Sequence, residues 1–181
     1  MTSSQVYPFE EDSRLLLEAA VAELRIGDRV LEIGCGGGRI SASLPYQDFV
    51  LASDISPPAV RAARALGLEV VRTDLFTGIC GKFDLVLFNP PYLPTMPEER
   101  CDDCLECALD GGSDGRSVIA RFVEGVGSVL APGGRFLLLI SSLTGIREVR
   151  DMIAKAGFRS ELVAKIRVEW EDLIVLRGIR E

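Results

Sequence analysis

Arg29-Val30-Leu31-Glu32-Ile33-Gly34-Cys35-Gly36-Gly37-Gly38 is an apolar run carrying one acid that breaks abruptly into glycine. Residues Arg29 to Ile33 suit a buried strand, because a strand covered on both faces reads as a near-continuous apolar run. The glycines behind it allow tight turns and close approach of a ligand to the backbone. A second segment of the same build, Phe83-Asp84-Leu85-Val86-Leu87-Phe88, runs into Asn89-Pro90-Pro91-Tyr92. Two strands that each end in a chemically loaded loop point to a site at one end of a sheet.

Outward from these two segments, strand and helix alternate. Leu16, Ala19, Ala20 and Leu24 recur at helical spacing, predicting a helix from Ser13 to Leu24 with Asp12 or Ser13 as its cap. A short helix ending near Pro45, a strand from Phe49 to Ser53 closed by Asp54, and a helix from Pro57 to Leu66 follow. Leu68 to Thr73 reads as a third strand. After a long irregular stretch from Pro90 to Asp114 come a helix from Arg116 to Leu130, a Pro132-Gly133-Gly134 turn and a strand from Arg135 to Ile140. A helix from Ile146 to Ala156 stops at Gly157, and Phe158 to Ile166 and Asp172 to Leu176 form two last strands without a helix between them. The expected fold is therefore α/β: a doubly wound, seven-stranded, mostly parallel sheet with an antiparallel C-terminal hairpin. No repeat or linker divides the chain, so residues 1–181 are expected to be a single domain, with residues 1–25 packing over the cofactor site.

Bulk properties narrow the function. At 181 residues, 48% apolar and 26% charged, the chain has ordinary globular composition. A net charge of -7 argues against a nucleic-acid partner, and no apolar run is long enough to span a bilayer. Five cysteines, an odd number without a leader-like start, lead to the expectation of a reducing compartment, the cytoplasm. Histidine is absent, which excludes Ser-His-Asp and Cys-His nucleophilic machinery. Transfer of a methyl group from a sulfonium needs no imidazole base, because the donor arrives activated.

Ligands of doubly wound sheets sit at the carboxyl ends of the strands. Asp54 closes the second strand, where a carboxylate can accept both hydroxyls of a ribose. The dinucleotide fingerprint Gly-x-Gly-x-x-Gly fails here, since counting on from Gly34 and Gly36 reaches Arg39. Gly34, Gly36 and Gly38 with Glu32 inside the strand suit S-adenosylmethionine, which has no pyrophosphate to cradle. Asp74, ending the third strand, is placed to accept from an adenine amino group, with Leu75 against the ring. A lone aspartate in a loop is usually just solvated. Two that close consecutive strands beside a glycine loop are harder to dismiss.

The Asn89-Pro90-Pro91-Tyr92 corner carries the chemistry. An amide nitrogen is a poor nucleophile because its lone pair is delocalised, and a site helps by accepting its N–H groups and aiming the lone pair. The Asn89 side-chain oxygen and the Pro90 carbonyl are two such acceptors, held still by the double proline. Tyr92 adds a flat face. No strong base is required, since the nitrogen becomes acidic once methylated.

Together with Val6-Tyr7, Glu11-Asp12-Ser13 and Gly111-Gly112-x-x-Gly115-Arg116, these motifs make the chain resemble the HemK-type glutamine methyltransferases, in particular the short archaeal and eukaryotic branch. The resemblance runs from Val6 to Leu176. It implies that Ser13, Glu32, Gly34, Asp54, Asp74, Leu75 and Asn89 line the cofactor site, and that Asn89, Pro90, Pro91 and Tyr92 hold the substrate. It further implies N5-methylation of the glutamine in a Gly-Gly-Gln loop of a class I release factor, with S-adenosylhomocysteine as product. The partner implied is a small zinc-binding activator subunit, adding a strand beside residues 68–73 to form a heterodimer. Val70 and Val71, adjacent and apolar, lead to the expectation that both faces of that strand are covered.

Two departures stand out. The first is at the N-terminus: the family's proline before Glu-Asp-Ser is displaced, with Pro8 one place early and Phe9 in its slot, and the bacterial N-terminal helical domain is expected to be missing. The second is Cys101-x-x-Cys104-x-x-Cys107, foreign to the motif, a spacing that suits zinc with a fourth ligand or a redox pair. Only Cys80 and Cys35, which belongs to the glycine loop, could complete a thiolate site, so a solvent-facing substrate-side loop is the preferred reading over a metal site. Competing activities are N6-adenine or protein-lysine methylation, because the same acceptors can seat another amine. A further alternative is a cofactor-binding scaffold for a partner subunit, which would have no need of an intact Asn89 or Asp54.

Overall fold

The computed structural model describes residues 6, 8–45, 49–92 and 114–180. The chain runs α1 (Glu11–Glu23), β1 (Arg29–Ile33), α2 (Arg39–Ser43), β2 (Phe49–Asp54), α3 (Pro57–Ala65), β3 (Glu69–Arg72) and β4 (Phe83–Phe88). It continues with α4 (Ser117–Gly125), β5 (Leu130–Ser141), α5 (Ile146–Lys155), β6 (Phe158–Val168) and β7 (Glu171–Arg180). Seven strands form one sheet in the order β3-β2-β1-β4-β5-β7-β6. The first five are parallel, and β7 inserts antiparallel between β5 and β6. The expected architecture, including the hairpin, is the observed one.

Alternation along the strands sends two sets of side chains to two faces. Leu31, Ile33, Val86, Phe88, Phe136, Leu138 and Ile140 pack with Ile119 and Phe122 of α4 and Val149 and Ile153 of α5. Val30, Leu85, Leu87, Leu137 and Leu139 pack with Leu15, Leu16, Ala19 and Ala20 of α1 and Ile40 of α2. Both faces of the middle strands are thus dry, which is why β1 and β4 read as unbroken apolar runs.

Four local expectations are corrected. α1 begins at Glu11 with Glu10 as an N-cap that makes no side-chain bond, so Asp12 and Ser13 are not caps; they lie in the first turn, buried. The helix expected to run to Leu130 ends at Gly125, followed by a 3-10 turn over Val126–Ser128. The Phe76 ring packs so closely on Gly125 that a Cβ there would lie 2.7 Å from it. β5 starts at Leu130 rather than Arg135: Phe83 pairs with Leu130 and Leu85 with Arg135, so Pro132-Gly133-Gly134 is a bulge inside the strand rather than a turn before it. On β3, Val70 is buried but Val71 is 38% exposed, because β3 is the sheet's edge and no described element covers that face. Among the described residues, no helix is long and apolar enough to cross a membrane.

Candidate active site

The chain goes outward from β1 through β2 to β3, then returns to the other side of β1 as β4. That reversal splays the connections after β1 and β4 apart and opens a crevice between them. Ile33 pairs with Phe88, so Gly34 and Asn89 leave the sheet side by side; a Cβ on Gly34 would lie 3.9 Å from the Asn89 carbonyl. A cavity of about 1020 Å³ opens at this point. Ser13, Glu32, Gly34, Gly36, Asp54, Asp74, Leu75, Asn89, Pro90, Pro91 and Tyr92, the candidates read from the sequence, all border it. Val6, Pro8 and Phe9 border it too, so the N-terminal segment forms part of its wall.

Two acids organise the glycine loop. Gly36, in the left-handed region at φ 52°, donates its N–H to Asp54 Oδ2 at 2.8 Å, and Ser56 N–H donates to Asp54 Oδ1 at 2.8 Å. A side chain at Gly36 would be strained by that φ. Burial pushes the Asp54 carboxyl above its ordinary range, opposed by the N–H groups of Ser56, Gly36 and Ile55. Gly38 is left-handed as well, and here packing is decisive: a Cβ would sit 2.6 Å from Leu68 Cδ1 and 2.9 Å from Ala63 Cβ.

Glu32 lies beneath the loop, 3% exposed, and its Oε2 accepts the N–H of Ser41 at 3.0 Å and the Ser41 hydroxyl. It braces α2 against β1. Burial raises its pKa from 4.5 to about 7, against the lowering effect of both Ser41 bonds and with a smaller push from Asp54. The folded chain therefore keeps a proton that the unfolded chain releases, and stability falls as pH rises from about 4.5 to about 7, by about 3 kcal/mol at most. Glu32→Gln should keep the Ser41 bonds and remove that loss. Urea unfolding should then show the variant about 2–3 kcal/mol more stable than the parent near pH 8 and little changed near pH 4; equal stability near pH 8 would contradict a raised Glu32 pKa. Cys35, in the loop itself, is buried, and burial pushes its thiol up, which leaves it protonated and inert as a nucleophile.

Across the cavity, Leu75 is the one described non-glycine residue at positive φ, 47°. Such backbone costs about 1–3 kcal/mol and persists where the surroundings over-determine it; Leu75 packs against the core on the α4 side. Asp74 Oδ2 accepts from Arg121 Nη2 of α4 at 2.7 Å, so this carboxylate is held by an arginine that the sequence reading missed. No spacing signal links residues 74 and 121. Arg39 and Arg72, also on the cavity wall, were missed likewise.

At the double-proline corner, Asn89 Nδ2 donates to Asp12 Oδ2 at 3.0 Å, and the Tyr92 hydroxyl reaches the same oxygen at 3.4 Å. Asn89 Oδ1 is shut off from water and has no hydrogen-bond partner among the described residues. An acceptor left so costs about 1–3 kcal/mol, and a donor on a bound molecule would relieve it. The sequence marks Asp12 only as a cap and as part of the Glu11-Asp12-Ser13 signature; its burial in the cavity wall has no local signal. Of the glycine-arginine signature, Gly115 and Arg116 are described and stand away from the cavity, Arg116 donating to the Thr144 carbonyl at 2.6 Å and pairing with Asp114. The Cys101, Cys104, Cys107 triplet lies outside the described residues.

Comparison with known proteins agrees with this geometry. Residues 8–100 match the methyltransferase small domain. A Methanocaldococcus jannaschii protein described as a candidate N5-glutamine methyltransferase is 39% identical over 97% of this chain and 92% of its own length. Human methyltransferase HEMK2 is 35% identical over 96% of this chain and 89% of its own. Among solved structures, the E. cuniculi Mtq2-Trm112 complex, responsible for methylating the eRF1 termination factor, superposes with a TM-score of 0.82 at 28% identity, covering 98% of this chain and 99% of that one. The chain belongs to the methyltransferase small domain family, within the group that holds HEMK2 and the protein N5-glutamine methyltransferases.

Proposed function

We propose that this chain transfers a methyl group from S-adenosylmethionine to the side-chain amide nitrogen of a glutamine, in the Gly-Gly-Gln loop of a class I translation termination factor. One observation carries the reading: Asn89 Oδ1, unpaired among the described residues, beside the glycine loop at the sheet's switch point. The cavity fits the cofactor. Asp54, fixed by two backbone N–H groups, keeps lone pairs for ribose hydroxyls, and Ser56 Oγ nearby has no partner among the described residues. Gly34 and Gly36 leave room beside the backbone, and Ser13 and Glu32 close the wall below. Leu75 offers an apolar face to a ring, and Asp74, held by Arg121, an acceptor to an amino group. S-adenosylmethionine would supply there a methyl on cationic sulfur: as the C–N bond forms the C–S bond breaks, sulfur keeps the electron pair, and the nitrogen's surplus proton passes to water.

This chain's own contribution is position and charge. Asn89 Oδ1 and the Pro90 carbonyl accept the two N–H groups of the amide and turn its lone pair toward the methyl carbon. Tyr92 lies flat against the planar group. Catalysis of this kind rests on orientation and on acceptors set before the reaction begins. A small zinc-binding activator subunit adds a strand at the free edge of β3, where Val71 is exposed. Such a substrate would meet the enzyme in the cytoplasm.

The test is incubation of the chain and its activator subunit with methyl-labelled cofactor and purified release factor, followed by mass mapping. Label on the glutamine of the Gly-Gly-Gln loop is expected. Label on a lysine, or on an adenine of added DNA or RNA but not on the release factor, would overturn the reading.

A further inference from the structure

An asparagine amide has two nearly isosteric orientations, and only one presents oxygen to a substrate NH2 group. Nothing in Asn89 itself chooses between them. Across the cavity wall stands Asp12, 3% exposed in the first turn of α1 and 77 residues distant in sequence. An ionised carboxylate only accepts hydrogen bonds. With Asp12 Oδ2 at 3.0 Å from Asn89 Nδ2, a flipped amide would set two oxygens against each other and forfeit a charge-assisted bond. The Tyr92 hydroxyl points to the same oxygen, so the tyrosine ring is tied to this carboxylate as well. The carboxylate is itself fixed, accepting the N–H of Ser13 at the positive end of α1. The consequence is visible on the other side of the amide, where Oδ1 is left without a partner among the described residues.

We infer that Asp12 is a positioning residue of the methyl-transfer site: it locks the Asn89 amide with oxygen toward the substrate and nitrogen away from it, and holds Tyr92 to the same frame. The inference rests on the glutamine-methylation reading for its kinetic consequence, but the locked amide is a property of the free chain.

Both parts are tested on the full chain with its activator subunit. Asp12→Ala should lower kcat about 10–100-fold, the scale of loss when a reacting group is misplaced rather than removed, and leave S-adenosylhomocysteine affinity within about threefold by calorimetry. Asp12→Asn, whose side-chain oxygen can still accept from Asn89, should recover most of the loss. Asp12→Ala combined with Asn89→Ala should be only slightly slower than Asn89→Ala alone, because orienting the amide is meaningless without it and only the tie to Tyr92 is left to lose. In ¹⁵N-labelled protein, the Asn89 side-chain NH2 pair, assigned by its loss in Asn89→Ala, should move toward the free-asparagine position in Asp12→Ala. Full additivity of the two losses, or an unmoved NH2 pair with kcat within about twofold of the parent, would overturn the inference. Should the parent chain fail to methylate glutamine, the substrate reading falls, while the NH2 pair still decides whether Asp12 holds the amide. Where Asp12→Ala does not fold, Asp12→Asn carries the same two readouts at smaller amplitude.

Discussion

Asn89→Ala is expected to lower kcat for methyl transfer about 10²–10³-fold, the range seen when one preorganised hydrogen-bonding group is deleted from an active site. The argument is geometric. Asn89 follows the last residue of β4, Phe88, which is buried and stacked on Phe122 with ring centroids 4.7 Å apart. The backbone that carries the amide is therefore anchored in the core, and Pro90 and Pro91 stiffen it on the other side. Truncation removes one of two acceptors without moving the second, the Pro90 carbonyl. Affinity for S-adenosylhomocysteine should stay within a few-fold by calorimetry, because Asp54 and the glycine loop stand on β1 and β2. The loss should thus fall on kcat more than on cofactor binding, which marks an interaction made with the reacting nitrogen. Turnover within about threefold of the parent would remove Asn89 from the catalytic role, whatever its place in the cavity.

Much of this arrangement was legible before the structure. β1 and β4 were readable with their bounds because both faces are dry, and β-strands buried on both sides advertise themselves as apolar runs. Once strand and helix alternate, right-handed crossovers leave little freedom, so residues at the carboxyl ends of strands, Gly34, Asp54 and Asn89, had to converge. What stayed hidden depends on contacts between distant segments. Gly125, the last residue of α4, lies against the Phe76 ring with no room for a side chain, and nothing near Gly125 in the chain announces that. Asp12 looked like a cap because acids at helix starts usually are; its burial follows from Asn89 and Tyr92 lying opposite. Val71 looked covered because an apolar neighbour pair suits a central strand, yet β3 is an edge. Arg121 and Asp74 meet because Leu75 and Phe76, which follow Asp74, pack on the same core cluster as α4.

Arg135 is the strongest case of a residue whose role no local pattern betrays, and replacing it should have the largest effect on stability. It is 3% exposed inside β5, with Nη2 at 2.7 Å from Asp28 Oδ2 and also donating to the Glu23 carbonyl, and Nη1 donating to the Asp84 carbonyl at 3.1 Å. Its Nε lies 3.4 Å from Glu23 Oε2 without hydrogen-bond geometry, and Glu23 is shared with Arg177 at 2.8 Å. Arg135→Met fills the stem's space but leaves Asp28 without its buried cation and two backbone carbonyls without donors. Breaking a buried pair from one side costs about 3–5 kcal/mol, which for a chain of this size is roughly 10 °C in Tm. Adding Asp28→Asn should return part of that loss, since the stranded charge is the main cost; a melting temperature within about 2 °C of the parent for Arg135→Met alone would show the network to contribute little. The consequence reaches the site. Glu23 closes the far end of the helix whose first turn carries Asp12, so α1 is held to the sheet by Arg135 and Arg177 at one end and by Asn89 and Tyr92 at the other. Loosening the Arg135 end leaves every cavity residue in place by name, yet frees the helix that orients the amide. Arg135→Met, assayed well below its melting temperature, should therefore lose kcat by a smaller factor than Asp12→Ala and in the same direction.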